Sequence, residues 1–220
     1  MQIQSAARAQ KYENAVPSLL SENVESEVKL IGIARTFTKD QEIFGEGEAA
    51  DFVYKVVTGA VRSFRILADG RRQIGDFYLP GDVFGMELGQ QRRSAAEAVG
   101  DAVVIVARRA TLTADPDNAD RLWRHALREL QRSQDHVLTV GRRSATERVA
   151  RFLLDLNERR GAGVMLELPM SRQDIADFLG LTIETVSRTL TQMQLDDLIE
   201  VSGCRHVRLT RRAALAELCE

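Results

Sequence analysis

Between about residues 25 and 110, apolar and polar positions alternate in short runs, and the runs end at glycine-bearing turns. In "DFVYKVVTGAVRSFRILADGRRQIGDFYLPGDVFG" the breaks fall at Gly59, Gly70, Gly75, Gly81 and Gly85. A two-residue period marks strands that bury one face. Asp69-Gly70, between "VRSFRIL" and "RRQIGDFYL", predicts a tight hairpin, because that dipeptide tolerates the positive φ such a turn needs. Pro80-Gly81-Asp82 predicts a further turn, and "AVVIVAR" at 102–108 a buried closing strand. Short strands at regular spacing with such turns predict a compact β-sandwich or β-roll.

From about residue 115 the period lengthens. "DPDNADRLWRHALRELQRSQDHVLTVGRR" places Trp123, Leu127, Leu130, Gln134 and Val137 at alternating steps of four and three, a coiled-coil seam of about two heptads. Such a seam packs either on a partner helix or on the chain's own β-roll. Gln134 favours self-association, since a polar seam position sets register at some cost in stability. A homodimer through these five residues is therefore expected.

The third region is punctuated by caps. Ser144 with Glu147 predicts a capping box opening a helix through "RVARFLLDLNERR", which buries Val149, Phe152, Leu153 and Leu156 and stops at Gly161 and Gly163. After a short strand, "VMLELPM", Ser171 with Asp174 predicts a second capping box. Gly180 then makes a turn, Thr182 caps a helix through "IETVSRTLTQMQLDDL", and "IEVSGCRHVRL" folds as a hairpin about Ser202-Gly203. Helix, glycine turn, helix and hairpin make a winged helix-turn-helix. Ala176 and Gly180 are small where the two helices cross. Ile175, Phe178, Leu179, Leu181, Val186, Leu190 and Met193 supply the inner faces. Ile183, Glu184, Ser187 and Arg188 are left projecting from the first turns of the second helix, the half that enters the major groove in this motif.

Those four side chains have the chemistry to read bases. Arginine bonds guanine O6 and N7 bidentately, glutamate accepts from cytosine N4, and Ile183 and Ser187 are short enough to approach a thymine methyl. The plainer alternative is a surface ion pair between Glu184 and Arg188, worth about 0.3–0.5 kcal/mol; the motif around them favours base reading. Arg172, Gln173 and Thr182 at helix N-termini, and Arg205 and His206 beside the wing turn, are candidate phosphate contacts. The expected organisation is an N-terminal extension at 1–24, a β-roll at 25–114, a dimerisation helix at 115–143 and a winged helix-turn-helix at 144–220.

Composition narrows this picture. The 220 residues carry a net charge of −2, and residues 144–220 hold ten arginines and no lysine against twelve acids. DNA contact must therefore rest on a few placed side chains rather than on bulk charge. No apolar run approaches the roughly 20 residues that cross a bilayer, and "MQIQSAARAQKYENAVPSLL" lacks a signal-peptide pattern, so no membrane partner and a cytoplasmic location are expected. The two cysteines, Cys204 and Cys219, provide neither a disulfide framework nor a cysteine-built zinc site. Cys204, beside Arg205 and His206, is a candidate redox-sensitive thiol, with an inert surface thiol as the plainer reading. With no histidine before His125, the β-roll lacks the His/Glu cluster of a cupin-type metal enzyme, so no catalytic residue and no metal are expected.

The whole order of elements resembles the CRP/FNR superfamily of bacterial transcription regulators, from about residue 25 to 218. "MSRQDIADFLGLTIETVSRTLTQMQLDDLIEVSG" is similar to its DNA-binding signature and "LPGDVFGMELG" to its β-roll signature. The fold implied is α+β: an N-terminal β-roll like a cyclic-nucleotide-binding jelly roll, a long dimerisation helix and a C-terminal winged helix-turn-helix. The E-x-x-S-R form of Glu184, Ser187 and Arg188 looks like the FNR and FixK branches. It implies recognition of a TTGA-N6-TCAA palindrome, with Arg188 on the guanine, Ser187 on the thymine side and Glu184 on the base opposite the guanine.

For cyclic-nucleotide binding, the resemblance asks for a glutamate on the ribose and an arginine-serine on the phosphate. Arg93-Ser94 fits superficially, but Met86 displaces Glu87 and the intervening segment is short. An iron–sulfur centre is excluded because residues 1–203 contain no cysteine. His125 and His136 form no convincing axial pair for haem. What remains is the FixK-like branch, through "LPGDVFG-x-E…AEAV". That branch implies an activator that binds double-stranded DNA as a homodimer, engages RNA polymerase and carries no cofactor. Its implied role is low-oxygen and nitrogen-fixation control. The alternative is a ligand-gated member of the superfamily with a small-molecule or haem effector in the β-roll.

Overall fold

The computed structural model describes residues 28–112, 116–161, 163 and 165–219; the expected N-terminal extension, 1–24, lies outside them. Eight strands form the N-terminal unit: β1 (Ile33–Phe37), β2 (Glu42–Phe44), β3 (Phe52–Thr58), β4 (Val61–Ile66), β5 (Arg72–Tyr78), β6 (Val83–Phe84), β7 (Ala95–Ala98) and β8 (Ala102–Arg108). They make two four-stranded sheets, ordered β1-β8-β3-β6 and β2-β7-β4-β5, with consecutive strands shared between them in the manner of a jelly roll. The Asp69-Gly70 hairpin joins β4 to β5; Gly70 takes φ 83° and its amide bonds the Leu67 carbonyl at 2.9 Å. The apolar run 102–108 is β8, which lies inside its sheet between β1 and β3.

α1 (Pro116–Arg142) follows. Its inward side carries Leu122, packed against Val28, Val53, Val83 and Leu112, together with buried His125 and Thr139. His136, on the same side, stacks on Phe178 at 4.2 Å. The seam points the other way: Trp123, Leu127, Leu130 and Val137 are 64%, 42%, 54% and 69% exposed, and Gln134 is exposed with them. Of the two destinations open to the seam, the chain's own β-roll is thus the one not used.

The C-terminal unit comprises α2 (Ala145–Arg159), β9 (Met165–Glu167), α3 (Arg172–Leu179), α4 (Ile183–Leu195), β10 (Ile199–Ser202), β11 (His206–Leu209) and α5 (Arg212–Glu217). Both capping boxes form. Ser144 and Glu147 exchange bonds of 3.0 and 3.3 Å, and Ser171 and Asp174 bonds of 3.0 and 3.1 Å. The wing is a three-stranded sheet ordered β10-β11-β9. α5 has no cap or period long enough to announce it, yet it buries Leu215 fully and packs on α2.

Gly180 is needed for a different reason than close approach of the helices. A Cβ there would meet only ordinary contacts, Val140 Cγ1 at 3.5 Å being the nearest. The residue is required because it ends α3 in the left-handed region, φ 63° and ψ 39°, where side chains are strained. Ala176, the other small residue of the pair, is fully buried.

One apolar cluster runs through both units. Ile74, Phe77 and Leu79 of the β-roll share it with Phe152, Leu153, Ile175, Leu179, Val186 and Met193, so β5 supports the helix-turn-helix directly.

Candidate nucleic-acid interface

The turn between α3 and α4 sets which residues face out. Thr182 N-caps α4 by accepting the Thr185 amide at 3.2 Å, which starts the helix at Ile183 and fixes its phase. Val186, Thr189, Leu190 and Met193 then fall inward and are buried. Ile183, Glu184 and Arg188 fall outward and are exposed, with Ser187 half-buried beside them. The four residues expected to read bases thus share the outward face of the first two turns.

Glu184 and Arg188 do not close on each other as a surface pair. The Glu184 carboxyl is held below the ordinary carboxylate range first by its own backbone amide, then by the Thr182 hydroxyl, with the Arg188 charge a smaller influence. Glu184 thus lies in the first turn of α4, at the positive end of the helix dipole, and Arg188 lies one turn on, exposed.

The expected phosphate contacts occupy three places. Arg172 is the first residue of α3 and half-buried, whereas Gln173 is exposed and donates to Asp177 Oδ1 at 2.6 Å, so its amide is already engaged. The Thr182 hydroxyl is engaged in capping and lies 3.1 Å from Thr185 Oγ1. Arg205 and His206 are exposed at the wing, where the Arg205 carbonyl accepts the Leu168 amide at 2.7 Å and ties the turn to β9. Cys204 is a free, exposed thiol in the same turn.

The segment compared above with a nucleotide-binding loop closes on itself. Glu87 Oε1 accepts the Arg93 amide at 3.2 Å, and the Arg93 side chain is exposed. It is Arg92, only 2% exposed, that enters the roll. Its guanidinium donates to the Gly85 and Phe52 carbonyls and lies 4.2 Å from the centroid of Phe44. Phe44, Tyr54, Phe84 and Tyr78 form a continuous ring stack beside it, with centroids 4.9–5.2 Å apart at successive contacts. A Cβ on Gly85 would strike the Tyr54 ring at 2.8 Å. Burial raises the Tyr54 phenol above its ordinary range, Arg92 offsetting only part. Arg92 and these rings are thus packed inside the roll, while the Glu87 carboxylate is engaged by the Arg93 backbone amide. Arg92 and not Arg93 turns inward, and two adjacent arginines carry no sequence signal for which of them does so.

Among the described residues, no group of three or more His, Cys, Asp or Glu side chains is arranged to hold a metal, and no helix is long and apolar enough to cross a membrane.

Residues 147–218 match the family model of the Crp-like helix-turn-helix domain, and residues 34–114 that of the cyclic nucleotide-binding domain. The chain is 47% identical over 200 residues to the nitrogen fixation regulation protein FixK of Azorhizobium caulinodans, covering 87% of this chain and 81% of that one. It is 43% identical over 187 residues to the protein of the same name from Rhizobium meliloti, covering 85% and 87%. The solved structure of FixK2 from Bradyrhizobium japonicum superposes with a TM-score of 0.82 at 48% identity, over 87% of this chain and 98% of that one.

Proposed function

The chain belongs to the CRP/FNR superfamily of transcription regulators, in its FixK-like branch, and from that premise we propose that it binds a TTGA-N6-TCAA palindrome as a homodimer without a bound effector. The observation that carries the base-reading part is the outward set on α4: Ile183, Glu184 and Arg188 exposed on one face, with Ser187 half-buried beside them. Arg188 takes guanine O6 and N7, Glu184 accepts from the cytosine opposite, and Ser187 with Ile183 borders the thymines. Arg172, Thr182, Arg205 and His206 contact phosphates, the first two through the N-termini of α3 and α4. Gln173, bonded to Asp177, holds its helix turn and contributes to the backbone contact only through that position.

Two further observations support the reading. The seam of Trp123, Leu127, Leu130, Gln134 and Val137 faces away from the chain's own core, as a dimer contact requires. Arg92 and the ring stack are packed inside the roll, which supports a roll that needs no effector to hold its shape. Because the C-terminal unit has no net positive charge, non-specific binding is weak and the salt slope modest. The protein's role in this reading is to activate nitrogen-fixation and low-oxygen genes in the cytoplasm, through contact with RNA polymerase; the name of two relatives, nitrogen fixation regulation protein, supports the nitrogen-fixation part.

A second reading, gating by a small molecule, has one observation in its favour. A cavity of about 220 Å³ lies between β5, α1, α2 and α3, lined by Asp76, His136, Phe152 and Phe178 among others. Fluorescence anisotropy separates the two readings. Purified protein without additives is expected to bind the palindrome with a Kd of about 10⁻⁸ M or tighter at physiological salt. Binding that appears only after adding a cell extract's small-molecule fraction overturns the effector-free part.

A further inference from the structure

The first helix of the helix-turn-helix is tied to the β-roll by charged side chains. Asp174, 2% exposed, uses its two oxygens for different tasks. Oδ2 completes the capping box of α3, accepting the Ser171 amide at 3.0 Å and the Ser171 hydroxyl at 2.7 Å. Oδ1 accepts Arg62 Nη1 from β4 at 3.1 Å and Arg72 Nη2 from β5 at 2.6 Å. One turn along α3, Asp177 takes Arg72 Nε at 2.9 Å, and its carbonyl takes the Gln73 amide at 2.8 Å. Arg62, 5% exposed, is held in turn by Glu97 at 2.8 Å and Asp40 at 2.8 Å. The carboxylate that starts α3 is therefore anchored to two strands more than 100 residues earlier in the chain.

The neighbouring contacts of α3 are apolar. Phe178 packs on Phe77 at 5.4 Å and on Phe152 at 5.8 Å between centroids. Ring contacts tolerate small slides and rotations, since their attraction is short-ranged but barely directional. A buried carboxylate shared by two guanidiniums does not, because any displacement leaves charge unpaired in a poorly solvated site. Such clusters add little net stability relative to apolar packing, and their use is to select one arrangement.

We infer that Arg62 and Arg72 are positioning residues for DNA reading: through Asp174 they fix the angle of the helix-turn-helix on the β-roll, and so set the half-site spacing that the dimer accepts. Neither residue touches DNA. The inference rests on the two-half-site reading above. With α3 clamped, the two α4 helices of a dimer hold one separation and one relative rotation. With the clamp open, each unit pivots on its apolar contacts and meets displaced half-sites.

The test is a set of duplexes whose half-sites stand at the natural spacing or one base pair closer or farther. One base pair shifts a half-site by about 3.4 Å and turns it by about 35°. Wild-type dimer, forced to release one half-site, is expected to lose on the order of 10²-fold in affinity. Asp174→Asn keeps a carbonyl for the Ser171 cap but points an amide at two guanidiniums, and its loss is expected to shrink below about tenfold while base preference within each half-site stays unchanged. Arg72→Met, which leaves the cap intact and removes a side chain that is 25% exposed, is expected to do the same and provides the test if Asp174→Asn does not fold. A purely structural role would lower the active fraction on all duplexes equally and leave the spacing ratio alone. Folded, dimeric variants that retain the full wild-type spacing ratio overturn the inference. If wild type ignores the TTGA series altogether, the operator reading fails separately, and the same spacing comparison is made on the site recovered by selection.

Discussion

Replacing Asp76 with asparagine is expected to make the protein more stable above neutral pH, by an amount that follows from the surroundings of the carboxyl. Asp76 lies on β5 beneath α1 and α2, with 23% of its side chain exposed. Its Oδ1 accepts the Phe77 amide at 2.7 Å, and Arg159 approaches only to 3.9 Å. Burial is the main influence, raising the pKa from 3.8 to about 7; Arg159 pulls it down, Glu129 pushes it up and Arg132 pulls it down more weakly. Between those two values the folded chain keeps a proton that the unfolded chain has released. Stability from this group is therefore full below pH 3.8, falls by about 1.4 kcal/mol per pH unit on the way up, and levels off above pH 7. Asparagine keeps an acceptor for the Phe77 amide and does not titrate, while Arg159 retains Asp82 at 2.6 Å. The difference between variant and wild type should thus grow by about 2.5 kcal/mol from pH 5 to pH 8. That corresponds to roughly 5–10 °C in Tm for a chain of this size. Urea denaturation at fixed protein concentration across this pH range measures it, since other titrating groups cancel in the difference. A difference independent of pH would show that Asp76 is ionised in the folded protein and refute the reasoning.

The remaining predictions test separate parts of the molecule. Leu127→Asp with Leu130→Asp should give monomers by sedimentation that no longer hold a two-half-site duplex, and tight binding by such monomers would contradict the seam. Arg92→Met should cost about 2–4 kcal/mol in denaturant melts, because the Gly85 and Phe52 carbonyls lose their donor, while the preferred DNA sequence stays unchanged. Peroxide should weaken DNA binding by wild type but not by Cys204→Ser if the exposed wing thiol is redox-sensitive; equal sensitivity of the two would exclude it.

What was legible in the sequence was local. Asp69-Gly70, the two capping boxes, Thr182 and the inward periodicity of α4 each carry their signal within a few residues, and each forms as expected. The direction of the seam was legible in kind, but only the packed structure shows that Leu122 packs on the β-roll, that His125 and Thr139 are buried, and that Trp123 and Val137 are left outside. The rest depends on contacts between distant segments. Nothing near Arg92 says that it turns inward while Arg93 does not. The cap at Asp174 was readable, whereas its bonds to Arg62 and Arg72 come from strands that the chain brings close only after folding. Gly180 was identified correctly as a turn residue, but backbone conformation rather than lack of space is its reason. α5, RAALAE, is made of good helix formers, but at six residues and without a side-chain cap it is too short to stand on propensity alone and is held by burial of Leu215.

The most direct test of the account is selection of bound duplexes from a random library, using effector-free wild type and Arg188→Ala in parallel. Wild type should enrich TTGA and TCAA half-sites around a fixed spacer. Arg188→Ala should bind about 1–3 kcal/mol more weakly and lose preference at the guanine and its paired cytosine alone. Enrichment of the same guanine by both proteins, or no palindrome from the effector-free wild type, would contradict it.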